Sequence, residues 1–188
     1  MSLPTVQLYF WQGEVLYIGT GLDSSLHRHH AFQIGISLGN PFLIRHYQDQ
    51  SPIPCRGFIA PSQVWHQVYS SNIDSIFLWF EAEGSVATAL MSEYSNQQVT
   101  LLSEDICQEI ANKLCLPLSC STAHDFLRYI YTQMGTPVGT IKRMDNRVQT
   151  VIEVVKGTYE PDIAVLTRTV AAQVFTSPSR LRHLLMYP

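Results

Sequence analysis

Residues 76–80 read Ile-Phe-Leu-Trp-Phe, five large apolar side chains in succession. Successive side chains of a strand point to opposite faces, so this run leaves no face for water. It calls for a strand covered on both sides by other layers. The segments before it fit the same plan. "VQLYFW" and "EVLYIG" flank Gln12 and Gly13, a tight hairpin turn, and "FLIRHY", "RGFIA" and "VWHQVYS" follow at short intervals between Pro, Ser, Asn and Asp. Short strands with closely spaced turns predict a sandwich or barrel from about residue 6 to residue 81.

The period changes after residue 83. "SEDICQEIANKLC" opens with Ser103 as an N-cap and acids in its first turn, and it places Ile106, Ile110 and Leu114 on one stripe. "STAHDFLRYIYTQMG" repeats the design, with Phe126, Leu127, Ile130 and Tyr131 facing inward and Gly135 closing the helix. "GTPVGT" then reads as a linker, and residues beyond it as three further helices. The fold expectation is mainly β then α.

Composition narrows the function. Of 188 residues, 46% are apolar and 14% charged, a globular balance. The net charge of −3 gives no overall attraction to nucleic acid, but it hides an asymmetry. Residues 142–188 hold seven Lys or Arg against four acids, leaving five against eleven in residues 1–141. A basic tail on an acidic body points to two jobs, the second facing phosphates. No apolar run reaches the roughly 18 residues that span a bilayer, and "MSLPTVQLYF" lacks the basic start of a signal peptide. The four cysteines form no CxxC pair; Cys107 and Cys115 fall where a helix is expected and read as buried free thiols. The expectation is a cytoplasmic protein without a membrane partner.

The chemistry concentrates in "GLDSSLHRHHAFQIGISLG". If residues 26–38 form one strand, His27, His29 and Gln33 share a face, where two imidazoles two residues apart can reach one metal and an amide can join them. His66, in "PSQVWH", is a fourth candidate. The alternative is that these imidazoles line a barrel mouth and bond backbone carbonyls.

Gly21, five residues, His27-Arg28-His29 and then Gln33 resemble the first motif of the cupins, with Gln where that motif has Glu. "PSQVWH" resembles the second, with Gln63 where it has Gly. The resemblance implies a cupin-like double-stranded β-helix, a jelly-roll barrel, and makes His27, His29 and His66 its metal set, Gln33 standing at the Glu position.

The tail carries a second resemblance. In "DIAVLTRTVAAQVFTSPSRLRHLL", Ser177 is an N-cap and Pro178 a first-turn residue, so a helix starts there with Arg180 and Arg182 near its beginning. The segment is similar to the first helix-turn-helix of AraC-type transcription regulators, with "SPSRL" its tightest part and Phe175 where the family often has Gly. That family's second motif has no counterpart before Pro188. The resemblance implies a cupin-like sensing barrel over residues 1–84, helices for dimerisation over 85–136 and the first DNA-binding motif over 137–188.

The function expected is therefore a regulator and not an enzyme. A small-molecule effector would sit among His27, His29, Gln33, Trp65, His66 and Trp79, DNA would meet Ser177, Ser179, Arg180 and Arg182, and the protein would act as a homodimer without a cofactor. The competing expectation is a metal-dependent cupin oxygenase or isomerase that uses His27, His29 and His66, with Glu14, Glu81 and Glu83 as acids by default.

Overall fold

In the computed structural model of the chain, residues 6–11, 13–21, 23–46, 51–82, 84–94 and 98–136 are described. The chain divides into two compact units, residues 1–10 with 14–140 and residues 11–13 with 141–188. The helix-turn-helix expected over residues 137–188, with Ser177, Ser179, Arg180 and Arg182, lies outside the described residues.

Nine strands and three helices appear among the described residues. The strands are β1 (Gln7–Trp11), β2 (Glu14–Thr20), β3 (Phe32–Ser37), β4 (Phe42–Arg45), β5 (Ile53–Cys55), β6 (Gly57–Ala60), β7 (Gln67–Tyr69), β8 (Asp74–Phe80) and β9 (Thr100–Leu101). The helices are α1 (Ser85–Glu93), α2 (Glu104–Lys113) and α3 (Cys120–Gln133). Six strands form one sheet in the order β1-β2-β8-β3-β6-β9, and three form a second in the order β5-β4-β7. Flanking β7, isolated bridges join Gly21 to Ser71 and His27 to His66. From β2 to β8 the chain thus passes back and forth between the sheets, which is the jelly-roll topology. The fold is mainly β then α, as expected from the pattern.

The middle of the six-stranded sheet, β8, β3 and β6, is largely buried on both faces. One face carries Leu16, Ile18, Phe32, Ile34, Ile36, Ile76 and Leu78, none more than 1% exposed. Each such side chain is worth about 1.5–3 kcal/mol on burial, so this face together rivals the ~5–15 kcal/mol net stability of a whole domain. It cannot be left to water. The helices cover it: α2 packs on β3, and the Tyr131 ring of α3 meets the Phe80 ring edge-on at 6.1 Å. The other face looks into the barrel, where Phe42, Ile44, Phe58, Val68 and Phe77 form a core with the smaller sheet.

Two glycines let the layers close. A Cβ on Gly35 would stand 2.3 Å from Phe58 Cε1, and one on Gly57 would stand 2.5 Å from Cys107 Sγ. Gly35 thus admits a ring inside the barrel, and Gly57 admits α2 outside it.

The helix signals hold with two corrections. Ser103 caps α2 by accepting from Ile106 N, and Gly135 ends α3 in the left-handed region at φ 70°. Phe126, Leu127, Ile130 and Tyr131 face inward as expected. In α2, however, the buried stripe is Cys107 and Ile110, while Ile106 and Leu114 are only partly covered. Cys115 lies beyond the end of α2 and is exposed, not buried; only Cys107 of that pair is a core thiol. The sequence pattern gave no notice of α1, a short helix whose cap, Gly84, offers no side-chain bond.

Tyr131 also holds the barrel to α3 chemically, donating its hydroxyl to Glu14 Oε1 at 2.6 Å. Glu14 Oε2 is buried without a hydrogen-bond partner. Burial pushes the Glu14 carboxyl above its usual range; the Tyr131 hydrogen bond opposes this, and the nearby Glu81 adds to it. Tyr131→Phe removes the donor and leaves both carboxylate oxygens unsatisfied. It should cost about 1–3 kcal/mol, seen as a lower urea midpoint with an unchanged slope.

Candidate metal and effector site

His27, His29, Gln33 and His66 do come together, but not on one strand. Residues 26–38 divide: His27 bridges to His66 just ahead of β7 of the smaller sheet, and Gln33 belongs to β3 in the larger one. The chain crosses between sheets in the intervening residues, and this crossing swings His29 toward Gln33. The two-residue alternation of a single strand is therefore not what aligns the set.

The crossing is pinned at both ends. Asp23 Oδ1 accepts from Ser70 N at 2.8 Å and Ser71 N at 2.9 Å, and these bonds hold its carboxyl below the usual range. Ser24 accepts from Val68 N through its hydroxyl at 3.0 Å. His27 and His66 exchange both backbone bonds, at 3.0 and 2.9 Å. Gln63 N donates to His29 O at 2.8 Å from a left-handed backbone, φ 62°, which is where the cupin motif has Gly. Asp23 and Ser24 were not singled out from the sequence; Asp-Ser ahead of the imidazoles is the one local signal that could have flagged them.

Each imidazole is oriented the same way. Nδ1 of His27 bonds Ser25 O at 2.8 Å, Nδ1 of His29 bonds Ala31 O at 2.9 Å, and Nδ1 of His66 bonds Val64 O at 2.9 Å. A carbonyl only accepts, so each Nδ1 carries the hydrogen, and in the neutral ring Nε2 keeps its lone pair. The ligand atoms of all three lie within 4.8 Å of one another. Three imidazoles locked by a second bond in the tautomer that offers Nε2 are a donor set suited to a divalent cation such as Zn2+, Ni2+ or Fe2+. The residues fit a metal.

Gln33 completes the ring. The atom at its Oε1 position is 2.9 Å from His29 Nε2 and 3.0 Å from His66 Nε2. Two lone-pair nitrogens cannot both bond an oxygen. In the metal-free protein the amide nitrogen belongs there, since it carries two hydrogens for two acceptors, and shape alone does not separate the two ends of an amide.

The surroundings are largely apolar. Phe58 stands 6.3 Å from the His66 ring, and Trp79 pairs with Gln33 across β3 and β8 and packs on the barrel core. Trp65 is 45% exposed, under the Arg28 guanidinium at 5.2 Å. It precedes His66 in the chain, ahead of β7. Of the acids considered from the sequence, Glu14 bonds Tyr131 of α3, with Glu81 near it, and Glu83 lies outside the described residues.

No family model matches the sequence, and no curated protein matches it. Solved structures resemble the fold at low identity. The AraC-like transcriptional activator CuxR is 13% identical over 95% of this chain and 72% of its own, with a TM-score of 0.47. A cupin-2 domain protein from Shewanella frigidimarina is 13% identical over 42% of this chain and 80% of its own, TM-score 0.33. KdgF from Halomonas is 20% identical over 36% of this chain and 68% of its own, TM-score 0.29.

His66 is fully buried, and burial pushes its pKa down to about 4; the Val64 hydrogen bond opposes this, and the neighbouring His27 and His29 add to it. A folded value below the unfolded 6.5 means the unfolded chain takes up the proton first. Stability should therefore be greatest above pH 6.5 and fall as pH drops toward 4, by at most about 3 kcal/mol from this group. In chelator-treated protein, one of the seven histidine ring resonances should stay unshifted until about pH 4 and vanish in His66→Asn.

Proposed function

We propose that this chain is the sensory part of an AraC-type transcription regulator, in which a small-molecule effector occupies the barrel site and occupancy is passed to a DNA-binding unit in residues 137–188. The observation that carries this reading is the site itself. It gathers four neutral binding groups, His27, His29, Gln33 and His66, beside Phe58 and Trp79, while Glu14 bonds Tyr131 of α3. That composition suits holding a ligand and leaves acid–base chemistry to the imidazoles alone.

A physical route outward supports the same reading. β3 and β8 pair through six positions, carrying Gln33 and Trp79 on the barrel side and Phe32 and Phe80 on the helix side. The Phe80 ring touches Tyr131 of α3. A ligand that shifts Gln33 shifts the strand whose other face α3 rests on, and the chain leads from α3 into the basic segment. Ser177, Ser179, Arg180 and Arg182 are the residues of that segment that would meet DNA, through phosphates and base edges at the start of a recognition helix. Homodimerisation, with α2 and α3 near the interface, belongs to the same proposal.

The converging Nε2 atoms favour a second reading, a metal-dependent enzyme or a sensor that requires a metal. Bound there, a divalent cation would supply Lewis-acid polarisation of a coordinated oxygen. The chain's own part would be to hold three imidazoles and an amide on it and to exclude water with Phe58 and Trp79.

The two readings part on DNA. Purified chain at low salt should enrich specific fragments from sheared DNA of its own genome, and Arg180→Ala with Arg182→Ala should abolish the enrichment and flatten the salt dependence. Equal recovery of all fragments, unchanged by the double substitution, would sink the regulator reading.

A further inference from the structure

We propose that the barrel site takes up a divalent cation only together with a small organic anion bearing a carboxylate, and that Gln33 is the residue that imposes this. The inference rests on the reading of this cluster as the effector site and names the chemical class of the effector.

Two observations carry it. The first is that the metal-free site is already closed. With each Nδ1 spent on a carbonyl, the lone pairs of His29 and His66 point at one Gln33 atom, at 2.9 and 3.0 Å. The amide nitrogen there satisfies both. Gln33 is 5% exposed and His66 is fully buried, so water does not replace the His66 bond, while His29 is partly exposed. An entering cation has to break both and turn the amide to present its oxygen. A buried hydrogen-bonded group resists such loss.

The second observation is charge. Three neutral imidazoles and one amide leave a divalent cation with its whole charge. The donor set contains no carboxylate, and its walls are Phe58 and Trp79. Burying an uncompensated charge costs several kcal/mol even after the protein relaxes. With four protein donors, a six-coordinate cation keeps two positions open; a bidentate carboxylate fills both while halving the charge, and a chelating dicarboxylate fills both and cancels it. Glu at position 33 would do neither job: it cannot donate two hydrogens to the imidazoles, and it supplies the negative charge itself. Gln33 therefore both weakens the bare cation and makes the anion its partner.

Binding linkage tests this directly. The affinity of chelator-stripped, untagged protein for Ni2+ is measured by equilibrium dialysis, with and without malonate, correcting for Ni2+ held by malonate in solution. Malonate should tighten Ni2+ at least about tenfold, and Ni2+ should tighten malonate by the same factor, because coupling is reciprocal. Gln33→Glu should bind Ni2+ alone at least about tenfold more tightly than the wild type and respond little to malonate. The wild-type linkage stands whether or not that variant folds, and circular dichroism checks the variant. Equal Ni2+ affinity with and without malonate in the wild type would overturn the proposal. So would a folded Gln33→Glu that binds Ni2+ no better. Ni2+ uptake by neither protein would also overturn it, while the DNA-enrichment result would still decide the regulator reading on its own.

Discussion

The pairing of β3 with β8, both faces dry, is the constraint on which the rest of the molecule depends. Phe32 to Ser37 lie opposite Phe80 to Ser75, and every residue of β3 is buried. A pair of strands with no wet face needs a layer on each side. The smaller sheet supplies one and makes the barrel; the helices supply the other. Gly35 and Gly57 are small because a ring and a helix must come close on opposite sides of adjoining strands.

The site follows from that layering. Its polar groups sit where the chain leaves the small sheet and enters the large one, so backbone carbonyls at the crossing, such as Ala31 O, are available to bond ring nitrogens. Those bonds choose the tautomer. Gln33, projecting from β3 into the barrel, then meets nitrogens that can only accept. A network with every member satisfied is rigid, and in a low-dielectric interior it is also difficult to open. The same strand pair presents Gln33 inward and Phe32 and Phe80 outward, which ties the state of the site to the helix layer without any separate linkage.

Much of this was legible beforehand because it depends on local repetition. Alternation in residues 32–37 and the unbroken apolar run at 76–80 identify strands, and Ser103 and Gly135 mark helix ends through their own side chain or lack of one. What stayed hidden depends on neighbours distant in sequence. Cys107 replaced Ile106 on the buried side of α2 because Gly57, fifty residues earlier, leaves a space that a thiol fills. Gln63 looked like a departure from a glycine motif; its left-handed backbone and its bond to His29 O explain the position. Trp65 and Trp79 looked equivalent as walls, yet only Trp79 lies in the row of Gln33, while Trp65 stacks under Arg28 at the surface.

By itself the sequence determined the change from strands to helices, the two-sided burial of the central strands and the identity of the four polar groups, since these follow from side-chain type and period. The tertiary structure alone decided how those groups meet. His27 bridges to His66 outside the sheets and Gln33 lies in β3, so their convergence depends on the chain between them, and no spacing along the chain encodes it. The same holds for the hydrogen each imidazole carries, which is set by a carbonyl that folding brings within 3 Å, and for the amide end that Gln33 must then present.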